Sequence, residues 1–152
     1  MSEIEIRPAR MEDRDAVVAL LEVAALPPDG LDDQFGEPYA VAVADGGIVG
    51  AAGVEVYGDA GLLRSVVVHA ALQGHGLGRR LTEERLRWAA DRGLEAVYLL
   101  TTSAEGYFPR LGFAPVARDE VPAAVRGSPQ FAGVCPSTAA VLALRLASRG
   151  AS

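Results

Sequence analysis

One stretch of the sequence constrains the fold most: an apolar run, then closely spaced glycines, then a helical pattern. The run is Leu62 to Val68, the glycines lie within Gln73 to Arg79, and the helical pattern extends to Arg92. Glycine lets the backbone approach a ligand closely because no Cβ intervenes. The first N–H groups of a helix lack partners within the helix, and the helix dipole favours negative charge there. The stretch therefore predicts a strand, a phosphate-binding loop and a helix in immediate succession.

The spacing of the glycines distinguishes three kinds of phosphate loop. A P-loop requires Lys followed by Ser or Thr after its last glycine, and no such pair follows here. A dinucleotide-binding loop requires G-x-G-x-x-G; Gly74 and Gly76 fit its first two positions, but Arg79 occupies the third. The pattern Q/R-x-x-G-x-G/A is matched by Gln73, Gly76 and Gly78. A glycine-rich connection without a ligand is the remaining alternative.

Size and composition limit the classes of function. The chain has 152 residues, which corresponds to one domain, and 50% of them are hydrophobic, which is enough for a core. A net charge of −6 argues against a general nucleic-acid-binding protein. No apolar run reaches membrane-spanning length, and the acidic start of the chain lacks a signal-peptide pattern. We therefore expect a cytoplasmic protein, in which the single Cys135 forms no internal disulfide.

The periodicity of the sequence predicts a mixed α/β domain in which antiparallel strands precede a β-α-β crossover. Apolar runs, alternating or continuous, predict strands, and apolar residues at helical spacing predict helices. The expected strands are 3–7, 39–44, 48–57, 62–68, 96–100, 113–117 and 139–146. The expected helices are 12–25, 77–92 and 104–111, with a helical turn at 121–126.

The third glycine pattern resembles the pyrophosphate loop of the GNAT superfamily of N-acetyltransferases, which binds acetyl-CoA. A second segment, with Ala104, Phe108, Gly112 and Phe113, resembles the A-x-x-x-Y-x-x-x-G-F segment whose helix flanks the CoA thiol in that family. The predicted order of elements is also similar to that of the family. The resemblance implies a GNAT-like acyl-CoA N-acyltransferase fold over residues 1–152. It also implies transfer of acetyl from acetyl-CoA to a primary amine, in a family where homodimers are common.

Three segments resemble a narrower branch of that family, known as arsenic-resistance N-acetyltransferases. They are residues 62–65, 99–102 and 116–136. The name of the branch does not define the acceptor amine. A small-molecule acceptor is favoured over a protein because the chain has no accessory domain.

The resemblance assigns acetyl-CoA contacts to three elements. Main-chain N–H groups of the loop would bind the pyrophosphate. The preceding strand would splay from the fifth strand at a bulge and pair its free backbone groups with pantetheine, and the helix of the second segment would flank the thiol. These residues are Val66, Val67, Val68, Gln73, Gly74, His75, Gly76, Leu77, Gly78, Arg79 and Phe108. Arg79 and Arg80 lie in the first helical turn, where a cation is unfavourable unless an anion binds there.

Acetyl transfer to an amine needs a base for the ammonium proton, donors for the oxyanion and an acid for the departing thiolate. Glu55 is the leading candidate for the base, because it lies in an otherwise apolar strand beside the CoA-contacting one. Strand alternation is equally compatible with an outward-facing Glu55. Arg64 and Ser65 are candidate substrate-binding residues; Arg64 could bind an acceptor carboxylate or oxyanion, or pair with Glu55.

The expected acid is missing from its usual place. The family commonly has a Tyr four residues before the Gly of G-F, and this chain has Phe108, which cannot donate a proton. Tyr107 is adjacent but about 100° away around a helix. The family's common Asn at the end of the fifth strand is replaced by Thr101. The thiolate could therefore be protonated by Tyr107 or by water, or it could leave without an acid. For the function as a whole, the alternative to an enzyme is a non-catalytic CoA-binding sensor.

Two further expectations concern the surroundings of the site. The irregular segments 26–31 and 121–131 are the ones best able to cover an acceptor pocket. His69 and His75 have no Asp, Glu or Cys at ligand spacing, so no metal site is expected.

Overall fold

A mixed β-sheet with helices on both faces organises the chain in its computed structural model, which describes residues 3–26, 30–101, 107–129, 131 and 140–146. The strands are β1 (Glu5–Pro8), β2 (Tyr39–Ala44), β3 (Gly47–Tyr57), β4 (Ala60–Val68), β5 (Ala96–Thr101), β6 (Ala114–Pro115) and β7 (Ala140–Arg145). The helices are α1 (Arg14–Val23), α2 (Leu31–Gln34), α3 (Leu77–Asp91), α4 (Tyr107–Arg110) and α5 (Ala123–Arg126). All strands belong to one sheet, in the order β1-β2-β3-β4-β5-β7-β6.

The directions of the strands confirm the predicted α/β class. Strands β1 to β4 pair antiparallel in sequence order, whereas β4 and β5 are parallel. The connection from β4 to β5 runs through α3, since a parallel pair requires a crossover. Strand β7 returns antiparallel to β5, and β6 pairs with its outer edge.

The two faces of the sheet bury different helices. On one face, α3 packs Leu77 and Leu81 against apolar side chains of β2 and β3. On the opposite face, α1 packs Val17 and Leu21 against the same strands, and α5 packs Val125 against β4. Among the described residues, no helix has both the length and the apolar character that crossing a membrane requires.

The first predicted helix, 12–25, is shorter than expected. It begins after a 3-10 turn at Met11–Asp13 and ends at Val23. Ala25 has a left-handed backbone (φ 58°), and the Leu26 N–H donates to the Leu21 carbonyl at 2.9 Å. This closure is typical of helix C-termini and satisfies the carbonyls of the last turn.

Two short elements also differ from expectation. The predicted strand 113–117 is reduced to the two residues of β6, where Pro115 has no N–H for the ladder. The sequence assigned no residue range to helix α2, because four residues carry too little periodicity to recognise. Gly30, in a left-handed conformation, precedes α2 and turns the chain into it.

Candidate active site

The glycine-rich loop connects β4 to α3. Gly74 and Gly76 have φ angles of 86° and 80°, a left-handed conformation that glycine adopts without the cost a Cβ would add. The side chain of Gln73 attaches the loop to the end of β4, because its Nε2 donates to the Val68 carbonyl at 3.2 Å. The predicted strand, loop and helix are therefore continuous in the structure.

The first turn of α3 presents backbone donors to this loop. The N–H of Arg80 makes the first bond of the helix, to the Gly76 carbonyl at 3.0 Å. The N–H groups of Leu77, Gly78 and Arg79 make no backbone hydrogen bond within the described part of the chain. Together with the helix dipole, these donors form a site suited to an anion such as a pyrophosphate.

The two arginines of this turn extend in different directions. Arg79 Nε donates to Glu83 Oε2 at 3.1 Å, on the exposed side of α3. Arg80 reaches towards β1, with Nη2 3.5 Å from the Ile4 carbonyl. Arg79 thus remains beside the loop with an exposed ion-pair partner, which an anion could replace at little cost.

The histidines near the loop are exposed. His69 Nδ1 accepts a hydrogen bond from the Ala71 N–H at 3.1 Å, which ties His69 to the turn that follows β4. Among the residues described, no group of three or more His, Cys, Asp or Glu side chains is arranged to hold a metal ion. Cys135 lies outside the described residues.

Strands β4 and β5 form a fork. Their pairing ends at Leu62 and Tyr98. Beyond this point β4 continues to Val68 and β5 to Thr101 without pairing to each other. The segment 66–68, where pantetheine contacts were predicted, lies in the β4 arm of the fork.

A bulge bends the β4 arm. Ser65 and Val66 both lie opposite the single residue Ala52 of β3. Ser65 has a φ of 59°, a left-handed conformation that is uncommon outside glycine. Because bulges increase the local twist of a strand, this one helps to separate β4 from β5.

Glu55 is buried at the base of the fork, on the sheet face opposite α3. It is 0% exposed, which excludes the outward-facing alternative. The Tyr39 hydroxyl donates to its Oε2 at 2.6 Å and the Tyr57 hydroxyl to its Oε1 at 2.8 Å. Arg64 Nη1 lies 3.6 Å from Oε2. Glu55 stands opposite Leu62, the last residue of β4 that pairs with β5. We call Glu55, Tyr39, Tyr57 and Arg64 the Glu55 cluster.

Both tyrosines of the cluster are held in their neutral form. Burial raises the pKa of the Tyr39 and Tyr57 hydroxyls, and the adjacent Glu55 carboxylate raises it further. The Arg64 guanidinium acts in the opposite direction on both, and the Ser128 hydroxyl does so on Tyr57. Neutral hydroxyls can donate to the carboxylate, as the two short distances require.

The predicted substrate-binding residues Arg64 and Ser65 contact each other. Arg64 Nε donates to the Ser65 hydroxyl oxygen at 3.1 Å, while Nη1 faces Glu55. The Arg64 side chain is fully buried. Of the roles considered for Arg64, the pairing with Glu55 is the one that the structure contains.

Helix α2 is attached to β3 next to the cluster. Gln34 Nε2 donates to the Val56 carbonyl at 2.9 Å, and Gln34 Oε1 accepts from the Val56 N–H at 2.7 Å. One side chain thus satisfies both main-chain groups of a residue between Glu55 and Tyr57. The amide of Gln34 therefore places α2 over the same end of the sheet.

The two segments expected to cover an acceptor pocket touch each other. A Cβ added at Gly30 would lie 2.4 Å from Pro129 Cβ, so the Pro129 ring packs directly against the Gly30 backbone. Ser128, which is buried, lies at the Tyr57 hydroxyl. Residues 27–29, 130 and 132–139 lie outside the described residues.

Phe108 lies in α4, which follows the β5 arm of the fork, and its side chain packs inward. Its ring meets Phe113 edge-on with centroids 5.9 Å apart, and it is partly buried against the core under α3. The backbone of α4 begins at Tyr107. The Tyr107 side chain and residues 102–106 lie outside the described residues, so the acid role of Tyr107 and the thiol contact of Phe108 stay predictions.

The sequence of residues 5–113 matches the model of the Acetyltransferase (GNAT) family. The chain belongs to this family. A curated relative, the amino-acid acetyltransferase of Mycobacterium tuberculosis (strain ATCC 25618 / H37Rv), is 36% identical over 81 residues, which are 53% of this chain and 46% of that protein. The chain therefore spans about half the length of the curated relative that it matches.

Solved structures of GNAT proteins share the fold. Rv2747 from Mycobacterium tuberculosis, crystallised in complex with CoA, has a TM-score of 0.77 and 26% identity, over 94% of this chain and 99% of that one. N-acetylglutamate synthase from Neisseria gonorrhoeae, complexed with CoA and N-acetyl-glutamate, has a TM-score of 0.80 and 22% identity, over 97% of this chain and 36% of that one. The neighbours confirm the GNAT-like fold; the narrower arsenic-resistance branch is not identified by them.

Sequence reasoning missed three members of the polar surroundings of Glu55. Tyr57 could have been recognised, because residues two apart on a strand share a face. Tyr39, on β2, and Ser128, after α5, carry no local signal that links them to Glu55. Only strand register and helix packing bring Tyr39 to the carboxylate and Ser128 to the Tyr57 hydroxyl.

Proposed function

We propose that the protein transfers the acetyl group of acetyl-CoA to a primary amine of a small molecule, by direct attack in a ternary complex. One observation carries the proposal: the fork of β4 and β5 has an anion-binding helix start at its open end and a buried carboxylate at its base. A pyrophosphate at the helix start would direct the thioester along the fork towards that carboxylate. CoA-bound relatives with the same fold support this placement.

The predicted acetyl-CoA contacts remain those of the loop, the β4 arm and α4. The donors at Leu77 to Arg79 would bind pyrophosphate, and the main chain of 66–68 would face pantetheine. Membership of the GNAT family and the CoA complexes of its solved members support acetyl-CoA as the donor.

For the acceptor we propose an α-amino acid. The support is the name of the curated relative, an amino-acid acetyltransferase, and the N-acetyl-glutamate complex of the Neisseria protein. Membership of the arsenic-resistance branch, which segments such as 62–65 resemble, stays a proposal and adds no acceptor of its own.

Glu55 is our candidate for the final proton acceptor. It is the buried carboxylate at the point where β4 and β5 separate, and donors surround it. Proton transfer by a positioned carboxylate typically contributes about 100-fold or more to a rate. For the thiolate, Tyr107 or water would supply the proton, because Phe108 carries none.

A non-catalytic CoA-binding protein is the second candidate function. The observation that favours it is Phe108, whose ring packs against Phe113 where the family commonly has a Tyr hydroxyl. This candidate predicts acetyl-CoA binding without turnover.

Calorimetric titration with acetyl-CoA, CoA and NAD, followed by thiol release with the proteinogenic amino acids, tests the proposal. We expect acetyl-CoA to bind, NAD to be silent, and at least one amine to release CoA. Binding without release for any amine would favour the sensor. No binding of either CoA species would overturn both.

A further inference from the structure

The contacts of Glu55 define how a proton could reach it. In the described part of the chain, its carboxylate touches Tyr39, Tyr57 and Arg64. Tyr39 is 0% exposed and Arg64 is 3% exposed, as closed to solvent as Glu55 itself. Tyr57 is partly exposed. Of these three contact residues, Tyr57 is therefore the one that has exposed surface.

We propose that the Tyr57 hydroxyl relays the proton of the acceptor ammonium to Glu55, an inference that rests on the acetyl transfer proposed above. The Tyr57 oxygen accepts a proton from the ammonium while its own O–H bond breaks and that proton passes to Glu55 Oε1, 2.8 Å away. The amine becomes the neutral nucleophile, Tyr57 is neutral before and after, and Glu55 ends protonated. The reverse path returns the proton to solvent after the product leaves.

The electrostatics fit a relay better than a tyrosine base. Burial, and then the hydrogen bond to Glu55, raise the pKa of Tyr57, so its phenolate is not formed near neutral pH. A neutral phenol can pass a proton on only if an acceptor stands behind it. Glu55 Oε1 is that acceptor, and the Tyr39 and Arg64 contacts hold the other oxygen, Oε2.

The surroundings hold Tyr57 in place for this role. Gln34 bonds both main-chain groups of the preceding residue, Val56. Buried Ser128 lies at the Tyr57 hydroxyl. Helix α2 and the segment that contains Ser128 thus converge on this tyrosine, at the end of the sheet where the acceptor is expected.

The cluster contains its own matched control. Tyr39 and Tyr57 both donate one hydrogen bond to the same carboxylate, at 2.6 and 2.8 Å, but Tyr39 is sealed from solvent. Tyr57→Phe and Tyr39→Phe therefore delete equivalent bonds, of which only one lies on the proposed path. A structural role would make the two variants alike, whereas a relay separates them.

The experiment measures thiol release against pH, with the proteinogenic amino acid that is used fastest, for the unaltered protein and both variants. We expect Tyr57→Phe to lower kcat by about 100-fold, to lose the acidic limb of the profile and to keep its affinity for acetyl-CoA. We expect Tyr39→Phe to lose thermal stability, to lower kcat less than Tyr57→Phe does and to keep the acidic limb of the profile. Glu55→Gln added to Tyr57→Phe should cost little more, because residues that act as a unit are not additive.

Two failures remain distinguishable. In the first, the unaltered protein turns over, but both tyrosine variants lose kcat equally or Tyr57→Phe keeps an unchanged pH profile. This result overturns the relay and leaves the proposed acetyl transfer intact. Acetyl-CoA binding without turnover by the unaltered protein overturns the proposed function and the relay with it.

Discussion

The two ends of the fork would bind their ligands through different kinds of groups. At the open end, residues 73–79 are contiguous in sequence and offer main-chain N–H groups. At the base, the Glu55 cluster combines side chains from β2, β3 and β4, and three of its four members are almost completely buried. A main-chain site depends on backbone conformation and tolerates many side chains. A buried charged cluster depends on each member, since an unpaired charge in the interior is costly.

Removing one carboxylate from each end of the fork should produce the largest difference, which is in the free energy of unfolding. Glu55→Ala leaves the buried Arg64 without this partner, and we expect a loss of about 3–5 kcal/mol in the free energy of unfolding. Glu83→Ala removes the partner of Arg79 on the exposed side of α3, and the loss should be below about 0.5 kcal/mol. Urea unfolding of both variants measures the difference. Similar losses would mean that the two ends do not differ in this way.

A charge placed at the open end should weaken acetyl-CoA binding without unfolding the protein. Gly76→Asp puts a carboxylate beside the free N–H groups of α3, in competition with a pyrophosphate, and should weaken acetyl-CoA binding by about 100-fold or more. Gly93→Asp is the control at the opposite end of α3; it shares the left-handed backbone (φ 91° against 80°), and an added Cβ meets no atom within 4 Å at either glycine. Calorimetry measures the affinity of both variants for acetyl-CoA, and circular dichroism confirms that both are folded. Unchanged affinity in a folded Gly76→Asp protein would remove the loop from the CoA site.

The contact between segments 26–31 and 121–131 should affect binding of the amine at the base of the fork and leave binding of acetyl-CoA unchanged. Gly30→Ala would force a Cβ into Pro129, and the strain should cost about 1–3 kcal/mol and raise the KM for the amine. Gly58→Ala has a similar left-handed backbone (φ 69° against 75°) but open space around it. The KM for acetyl-CoA should change in neither variant. If Gly58→Ala raised the amine KM as much, the contact with Pro129 would not be the cause.

The two ends should also respond differently to alkaline pH. The pKa of Tyr39 in the folded protein is raised above the unfolded value of about 10. The contribution of Tyr39 to the free energy of unfolding is therefore fully present below about pH 10 and is lost as pH rises above it. Above pH 10 the unfolded chain releases this proton and the folded one keeps it, which lowers stability by about 1.4 kcal/mol per pH unit. The chain contains no lysine to obscure this range. Urea unfolding between pH 9 and 11.5 should therefore show a shallower decline for Tyr39→Phe, whereas Gly76→Asp should leave the slope unchanged.

Much of the fold and half of the candidate site could be predicted from sequence because their signals are local. The loop from Gln73 to Arg79 combines glycine spacing, a preceding apolar run and a following helical period within one segment. Helix α3 begins at the predicted residue, Leu77, and ends within one residue of the predicted Arg92. The short elements were harder, since α2 and β6 are four and two residues long and show little periodicity.

The environment of Glu55 could not be predicted in the same way. The sequence left inward and outward orientations of Glu55 equally open, because strand alternation does not say which face is covered. Register places Tyr39 opposite Gly53, where the absence of a Cβ leaves room for the ring. The resemblance implied a bulge in β4 but not its position, since nothing in a serine between an arginine and a valine indicates a left-handed backbone.

The sequence by itself determined the strand–loop–helix unit at Gln73 to Arg79, and with it the anion site, because backbone conformation there follows from nearby glycines. The tertiary structure alone decided that Glu55 is buried, that two tyrosines and Arg64 surround it, and that β4 leaves β5 after Leu62. These contacts join residues that are distant in sequence. Their geometry depends on strand register and on how α2 and α5 pack against the sheet, which no local pattern of residues specifies.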